Sequence, residues 1–305
     1  MAITAAMVKE LRVKTGAGMM DCKKALTEVN GDMEKAVDIL REKGLAKAAK
    51  KSGRVAAEGL VDIAMNEDHT KAVVAEVNSE TDFVAKNDEF KSFVRNVAVT
   101  ALNSDKENIE ELLNGKYLDT DATVQETLND KIAKIGENMS VRRFQKIDMK
   151  NGKVAGYIHG AGKIGVLVGL ETSSDSEEIL ALGKDLAMQV AAMNPKYISR
   201  DDVDAEYIEH EKEILKQQAL NEGKPANIVE KMIVGRLNKQ LKEICLLNQA
   251  FVKNPDLSVE QLIKEVSKKL GTEIKIASIS RFEVGEGIEK KEENFAEEVA
   301  KQINK

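Results

Sequence analysis

The sequence predicts an α+β protein, and three observations support that fold class. Apolar residues recur at helical spacing through the first 54 residues. Beyond residue 54, short apolar runs typical of strands occur in pairs, and each pair is followed by a helical pattern. This arrangement of two strands and a helix is found twice. The length of 305 residues leaves room for about two domains. Seven Phe, four Tyr and no Trp imply that the core is largely aliphatic.

Residues 1–54 are predicted to form a bundle of three short helices, because helices of this length are marginal alone. This module has 12 Lys or Arg and seven Asp or Glu, so it is locally basic. Residues 47–54 are mostly polar or small and are expected to be a solvated connector. The expected helix N-caps are Thr4, Asp21 and Asp32, and the expected helix ends are Gly16, Asn30-Gly31 and Gly44.

Two copies of one α+β unit are predicted beyond the bundle, each with a small antiparallel sheet packed on helices. Strand-like runs begin at Gly59 and Ala72 in the first copy and at Gly156 and Ile164 in the second. Each copy closes with a helix that ends in Gly and a strand that carries Arg-Phe. The intervening helix has apolar residues at i, i+3, i+4 and i+7, namely Phe90, Phe93, Val94 and Val97 in the first copy and Ile179, Leu182, Gly183 and Leu186 in the second.

The copies differ in length at two places. Phe90 follows Val77 by 13 positions, whereas Ile179 follows Leu170 by nine, so the first copy has four extra residues between strand and helix. The second copy holds an insertion that is predicted to be an antiparallel helical hairpin around a turn at Asn221–Pro225. Its expected inner residues are Ile208, Leu215 and Ala219 on the first arm, and Ile228, Met232, Ile233, Leu237, Leu241 and Ile244 on the second.

A last apolar stripe predicts a C-terminal helix that needs a surface to dock on, because Phe295, Val299 and Ile303 recur every four residues. The chain is therefore expected to have five parts. Their boundaries are 1–54 for the bundle, 55–149 for the core N-subdomain, 150–195 with 244–286 for the core C-subdomain, 196–243 for the hairpin and 287–305 for the C-terminal helix.

Composition and motifs argue against several classes of function. The net charge of −6 argues against a general nucleic-acid binder, and no stretch has the roughly 18 apolar residues of a membrane helix. Cys22 and Cys245 are too far apart to indicate a disulfide framework, so a reducing, cytoplasmic location is expected. The three His lack partners at zinc spacing, and Gly162-Lys163 fits a hairpin turn better than a phosphate loop. Because no catalytic motif is found, we expect no metal, no cofactor and no enzymatic activity.

Phe83 is the residue that most needs a partner. It lies in the segment 78–90, among charged side chains and within the extra residues of the first copy. Large apolar residues are mostly buried, so Phe83 could fold back on its own helix. The copy already has its own apolar helix face, however, and the extra residues are dispensable for that core. We therefore predict that Phe83 projects, flanked by Asp82, and enters another protein.

Several strings in one order along the whole chain resemble the elongation factor Ts family, which exchanges guanine nucleotide on elongation factor Tu. They are KTGAGMMDCKKAL from Lys14, NGDMEKAVDILREKG, EVNSETDFVAKNDEF, KIGENMSVRRF, HGAGKIGVLV and RFEVGEGIEK. The chain departs from the family at Ser79, where members often have Cys, and at Ala250, where they often have Pro.

The resemblance implies a partner, elongation factor Tu in its GDP-bound and nucleotide-free forms, and no covalent chemistry. It implies that the bundle is UBA-like, that the hairpin is a coiled-coil protrusion and that the terminal helix docks on the partner's nucleotide-binding domain. The hairpin is also a candidate surface for a homodimer. The segment expected beside the magnesium and nucleotide pocket is Thr81, Asp82, Phe83 and Val84, and the expected secondary contacts are Arg12, Met19, Met20, His159 and Gly160.

Two other classes of function are compatible with parts of the sequence. An RNA-binding translation accessory could use the basic first module, although that module lacks interleaved exposed aromatic residues. An enzyme of another type would need a constellation of titratable groups in a pocket, and the sequence offers none. A gel shift with tRNA and a nucleotide-turnover assay distinguish these classes from an exchange factor.

Overall fold

The computed structural model describes residues 3–15, 17–118, 120–223 and 225–289. It shows mixed helices and small sheets, as the α+β prediction requires. The chain divides into two compact units. Unit 1 contains the residues up to Asp62, Ala75–Phe144 and those from Glu283, and unit 2 contains Ile63–Val74 and Gln145–Phe282.

Unit 1 begins with three helices, α1 (Ala5–Thr15), α2 (Met19–Glu28) and α3 (Met33–Lys51). The expected caps are present at Thr4, whose hydroxyl accepts from the Met7 N–H, and at Asp32, whose carboxylate accepts from the Lys35 N–H. A small aliphatic core joins the helices. Its buried members are Val8, Leu11, Cys22, Ala25, Leu26 and Ala36. The UBA-like assignment of this bundle stays a prediction.

Three details of the bundle differ from the sequence prediction. Asp21 does not cap α2, because Gly18 occupies the N-cap position and the Asp21 carboxylate binds Lys47 at 2.8 Å. Gly44 does not end α3, which continues to Lys51, so most of the expected connector is helical. Gly44 is buried because α3 packs on another helix there. A Cβ at position 44 would lie 3.6 Å from the Ala133 side chain. Gly16 lies outside the described residues.

The first copy of the repeat has three strands and four helices. Its strands are β1 (Glu58–Met65), β2 (Lys71–Ser79) and β3 (Met139–Asp148), hydrogen-bonded in that order. Its helices are α4 (Asp82–Lys86), α5 (Asp88–Asn103), α6 (Ile109–Asn114) and α7 (Val124–Ile135). The four predicted core residues of α5 are all buried.

The second copy repeats this strand order. Its strands are β4 (Gly152–His159), β5 (Ile164–Glu171) and β8 (Lys275–Glu283), again hydrogen-bonded in chain order. The four predicted core residues of α8 (Glu177–Met193) are all buried. Three of them share a core with β5 and α11 (Val259–Leu270), and Gly183 lies against Ala155 of β4. A short hairpin, β6 (Ala250–Phe251) and β7 (Asn254–Ser258), precedes α11.

The two copies also share their capping chemistry. Both α7 and α11 have 12 residues, begin with a capping box and end at a left-handed glycine, Gly136 or Gly271. Gly59 and Gly152 occupy equivalent places in the first strand of each copy. A Cβ at Gly59 would lie 2.2 Å from the Val77 carbonyl oxygen, and one at Gly152 would lie 2.0 Å from the carbonyl oxygen of Leu170. The structural match for Gly59 is therefore Gly152 rather than Gly156.

The insertion in the second copy consists of α9 (Ala205–Asn221) and α10 (Ala226–Ile244), which pack against each other. Most of the predicted inner residues are buried or half-buried. Ile228 is an exception, since it is 45% exposed, and Val229 takes the inner position instead. The coiled-coil assignment and a homodimer through this hairpin stay predictions. The predicted C-terminal helix falls almost entirely outside the described residues.

Candidate functional site

The four extra residues of the first copy are accommodated by α4, a helix of a single turn. Thr81 is its N-cap, and the Thr81 hydroxyl oxygen accepts from the Val84 N–H at 3.4 Å. Asn87 ends α4 and at the same time caps α5, because its side-chain oxygen accepts from the Glu89 N–H at 2.8 Å. The turn between strand and helix is thus held at both ends.

The side chains of α4 divide into an inner and an outer group. Phe83 is 79% exposed, so the alternative in which it folds back on its own helix is wrong. Val84 is only 7% exposed and Ala85 is also buried, so these two residues fix α4 to unit 1. Val84 therefore does not project beside Phe83. The Val84 surface is already removed from water in the free chain and cannot be buried again in a partner.

The charges around Phe83 are partly compensated. Asp82 forms an ion pair with Lys86, one turn later, at 2.6 Å. The Lys86 ammonium lies 5.9 Å from the centroid of the Phe83 ring, within the range of a cation–π contact. Both charged side chains are accessible to solvent, so each interaction is weak. Phe83 therefore projects beside an ion pair whose two charges compensate each other.

A second set of contacts fixes the base of α4. Glu137, in the turn after α7, accepts from the Thr81 N–H at 3.0 Å and from the Thr81 hydroxyl at 2.7 Å. In the same place the Asn138 N–H donates to the Glu80 carboxylate. Ser79 donates to the Thr81 carbonyl oxygen at 3.0 Å. Sequence reasoning missed Glu137, because its partner lies 56 positions away and no local pattern connects them.

Glu89, just after α4, links α5 to α7. Its carboxylate accepts from Lys131 at 2.7 Å and from Lys134 at 2.8 Å. These two hydrogen bonds, Lys131 first, hold the pKa of Glu89 below its ordinary value. The charged pairs keep the start of α5 in a fixed position on α7, directly after the α4 turn.

The secondary contact residues lie on surfaces in both units. In unit 1, Arg12 is exposed, and Met19 and Met20 are 56% and 63% exposed. Val13 of α1, which the sequence analysis did not single out, is 81% exposed. Exposed methionines are typical of adaptable binding surfaces.

In unit 2, His159 and Gly160 are exposed at the tip of the β4–β5 hairpin. His159 pairs with Ile164, so the turn prediction for this stretch is confirmed. The hydroxyl of Tyr157, another residue that the sequence analysis missed, lies 3.1 Å from His159 Nδ1. This hydrogen bond fixes the orientation of the imidazole ring.

Within the described part of the chain, no three His, Cys, Asp or Glu side chains are grouped so that they could hold a metal ion. Over the same residues, no helix combines the length and hydropathy that a bilayer crossing requires. Phe83 is a projecting aromatic side chain on a one-turn helix whose neighbours are buried. Aromatic side chains are enriched in protein–protein interfaces.

The chain is similar over nearly its whole length to proteins of one family. Residues 80–286 match the family model described as Elongation factor TS. A protein of Clostridioides difficile (strain 630) named Elongation factor Ts is 67% identical over 301 residues, which cover 99% of both chains. Proteins of the same name from Clostridium novyi (strain NT) and Clostridium perfringens (strain SM101 / Type A) are 57% and 59% identical over 99% and 98% of both chains. The chain belongs to the elongation factor Ts family.

Proposed function

We propose that this chain is a guanine-nucleotide exchange factor for elongation factor Tu. It binds the GDP-bound partner, promotes release of GDP and leaves the partner ready to bind GTP. The proposed site of action is the cytoplasm, where translation takes place. The proposal rests on family membership and, within the structure, on the single observation that Phe83 projects from a fixed one-turn helix.

Exchange of this kind involves no covalent chemistry and follows from linked binding. A factor that binds the nucleotide-free partner more tightly than the GDP-bound partner must weaken GDP binding by the same ratio. Phe83 supplies this difference if its pocket in the partner opens only when contacts to magnesium and nucleotide are lost. Displacement of magnesium is then a consequence of seating Phe83.

The size of the effect can be worked out for Phe83 alone. Burying one Phe side chain is worth about 1.5–3 kcal/mol. A thousandfold loss of nucleotide affinity requires about 4 kcal/mol at 1.4 kcal/mol per decade. Because Val84 is already buried in the free chain, it adds nothing to this difference. Phe83 therefore accounts for one to two decades of the loss in nucleotide affinity. Other contacts must supply the rest of the thousandfold loss.

Asp82 is the proposed second contributor, since a carboxylate near a metal-held phosphate would repel it. Lys86 lies within 2.6 Å of Asp82 and compensates most of that charge at a distance. The repulsion is therefore effective only if Lys86 turns away in the complex. We propose that Phe83 and Asp82 together provide most of the displacement.

The remaining surfaces are proposed to supply affinity rather than exchange. Arg12, Met19 and Met20 are accessible on unit 1, and His159 and Gly160 are accessible on unit 2. Contacts that are equally good in the GDP-bound and nucleotide-free complexes tighten binding without changing the nucleotide affinity. Substitutions there should raise the factor concentration needed for half-maximal exchange and leave the maximal rate unchanged.

The experiment that tests the proposal is stopped-flow release of a fluorescent GDP analogue from elongation factor Tu. We expect Phe83→Ala to lower the maximal stimulated rate about 10- to 150-fold, from the value of one buried Phe. Folding stability should change by less than about 0.5 kcal/mol, because Phe83 is exposed in the free chain.

A matched control is Val252→Ala, another exposed apolar residue, 41% accessible and in unit 2, which should leave exchange unchanged. Full stimulation of GDP release by Phe83→Ala would refute the role of Phe83. An equal loss in Val252→Ala would show that the effect is not specific to α4.

A further inference from the structure

The turn that carries Thr81 and the turn that carries Glu137 hold each other by reciprocal hydrogen bonds. The two carboxylate oxygens of Glu137 accept separately from Thr81, Oε2 from the backbone N–H at 3.0 Å and Oε1 from the hydroxyl at 2.7 Å. The adjacent residues bond in the opposite direction, since the Asn138 N–H donates to Glu80. Hydrogen bonds to an ionised carboxylate are stronger than bonds between neutral groups.

Glu137 also determines how the hydroxyl of Thr81 is used. A hydroxyl has one proton to donate and two lone pairs that accept. Because the proton goes to Glu137, a lone pair is left to accept from the Val84 N–H, which is the cap of α4. A five-residue helix is not stable by itself and depends on such external bonds. The cap of the helix that carries Phe83 is therefore bonded to Glu137.

The second copy of the repeat provides an internal comparison. Thr272 follows the helix-ending Gly271 as Glu137 follows Gly136, so the two positions are equivalent. Ser173 stands at the position that corresponds to Glu80, three residues after Leu170 as Glu80 is after Val77.

In the second copy the same two turns are joined by one neutral bond, Ser173 Oγ to Thr272 Oγ1 at 3.0 Å. No helix intervenes between Glu171 and Ser176, and no aromatic side chain projects there. The carboxylate is therefore present in the copy that has the projecting helix and absent from the copy that lacks it.

We propose that Glu137 is a positioning residue for Phe83. It fixes the first turn of α4 so that Phe83 is presented to the partner in one orientation. The inference rests on the proposed exchange function. It adds a residue that lies outside the Thr81–Val84 segment and acts through the Thr81 backbone and hydroxyl.

The test uses the full chain and the same assay of GDP release, with separate measurement of the maximal rate and of the factor concentration at half-maximal rate. Glu137→Ala should lower the maximal rate about tenfold, which corresponds to about 1.4 kcal/mol, and should change the half-maximal concentration less than threefold. Glu137→Gln keeps one acceptor oxygen and should recover part of the lost rate. Thr272→Ala, the matched substitution in the second copy, should leave both quantities unchanged.

The decisive variant is Glu137→Ala combined with Phe83→Ala. If Glu137 acts through Phe83, the double variant is no slower than Phe83→Ala alone, because the orientation of a missing side chain is irrelevant. Additive losses, or a loss in Glu137→Ala that appears only as a weaker half-maximal concentration, would overturn the inference. If Phe83→Ala itself retains full stimulation, the proposed function fails instead, so the two failures are distinguishable.

Discussion

Glu76→Gln is predicted to destabilise unit 1 strongly, although the two side chains have nearly the same shape. Glu76 lies on β2 and is 0% exposed. Its carboxylate accepts from Arg142 Nη1 at 3.0 Å, from Arg143 Nε at 2.6 Å and from the Gly285 N–H at 2.9 Å. The Asn78 amide donates to it as well, at 3.0 Å. An amide in this place would turn its NH₂ group toward at least one donor.

The magnitude follows from the loss of one partner in a buried ion pair, which costs about 3–5 kcal/mol when both partners are buried. The arginine side chains keep a quarter to a third of their surface in water, so about 2–4 kcal/mol is expected here. Burial alone raises the pKa of Glu76. Hydrogen bonds from Gly285, Arg143 and Asn78 and the charge of Arg143 outweigh it, so the pKa lies below its ordinary value.

A lowered carboxyl pKa sets the direction of the pH dependence. The stabilisation by Glu76 is complete above the ordinary pKa of Glu, about 4.3, and is lost as the pH falls through the lower pKa of the folded state. The difference in stability between the original chain and Glu76→Gln should therefore shrink in acid, because a protonated carboxyl can no longer accept all the bonds.

Urea unfolding followed by far-UV circular dichroism measures this difference, since the chain has no Trp for fluorescence. Glu28→Gln is the matched control, because Glu28 forms an exposed ion pair with Lys43 at 2.6 Å and should be worth less than about 1 kcal/mol. Equal midpoints for Glu76→Gln and Glu28→Gln would refute the reasoning. So would a difference that is the same at pH 7 and well below pH 4.

Two further predictions concern unit 2 and are read from the same unfolding curves. Gly235→Ala in α10 should stabilise the folded state by up to about 1 kcal/mol, because nothing lies within 4 Å of the added Cβ. A lower urea midpoint for this variant would contradict the prediction. Gln189→Leu should cost about 1–3 kcal/mol, because it leaves the buried Gln249 oxygen and the Val252 N–H without their bonds to Gln189. The exposed Gln217→Leu is its control and should have little effect.

Local periodicity was enough to predict most of the elements in the described part of the chain. The four apolar residues from Phe90 to Val97 lie on the buried face of α5, and those from Ile179 to Leu186 lie on that of α8. The reason is that a helix placed on a sheet must bury one face, and the spacing of that face is visible in the sequence. The four-residue difference between the copies located the insertion but did not predict that it forms a helix, α4.

The errors share a different physical cause, namely packing between distant parts of the chain. Gly44 has the appearance of a helix end, but it is a point of close approach between α3 and α7. Val84 is adjacent to Phe83 and equally apolar, but the one-turn helix directs it inward. Glu137 and Glu76 are each fixed by partners more than 50 positions away. No local pattern contains that information.

The exposed position of Phe83 follows from the way in which extra residues are added to one copy of the duplicated α+β unit. Extra residues between a strand and a helix usually form a loop, and a loop would leave an apolar tip without a fixed direction. Here Val84 and Ala85 are buried and Asn87 serves two helices at once, so the added residues have little freedom. An exposed Phe gains nothing for folding and increases the risk of association. An α+β unit that holds such a residue outward, with a carboxylate that the other copy lacks, is what the proposed insertion of Phe83 into a partner's pocket requires.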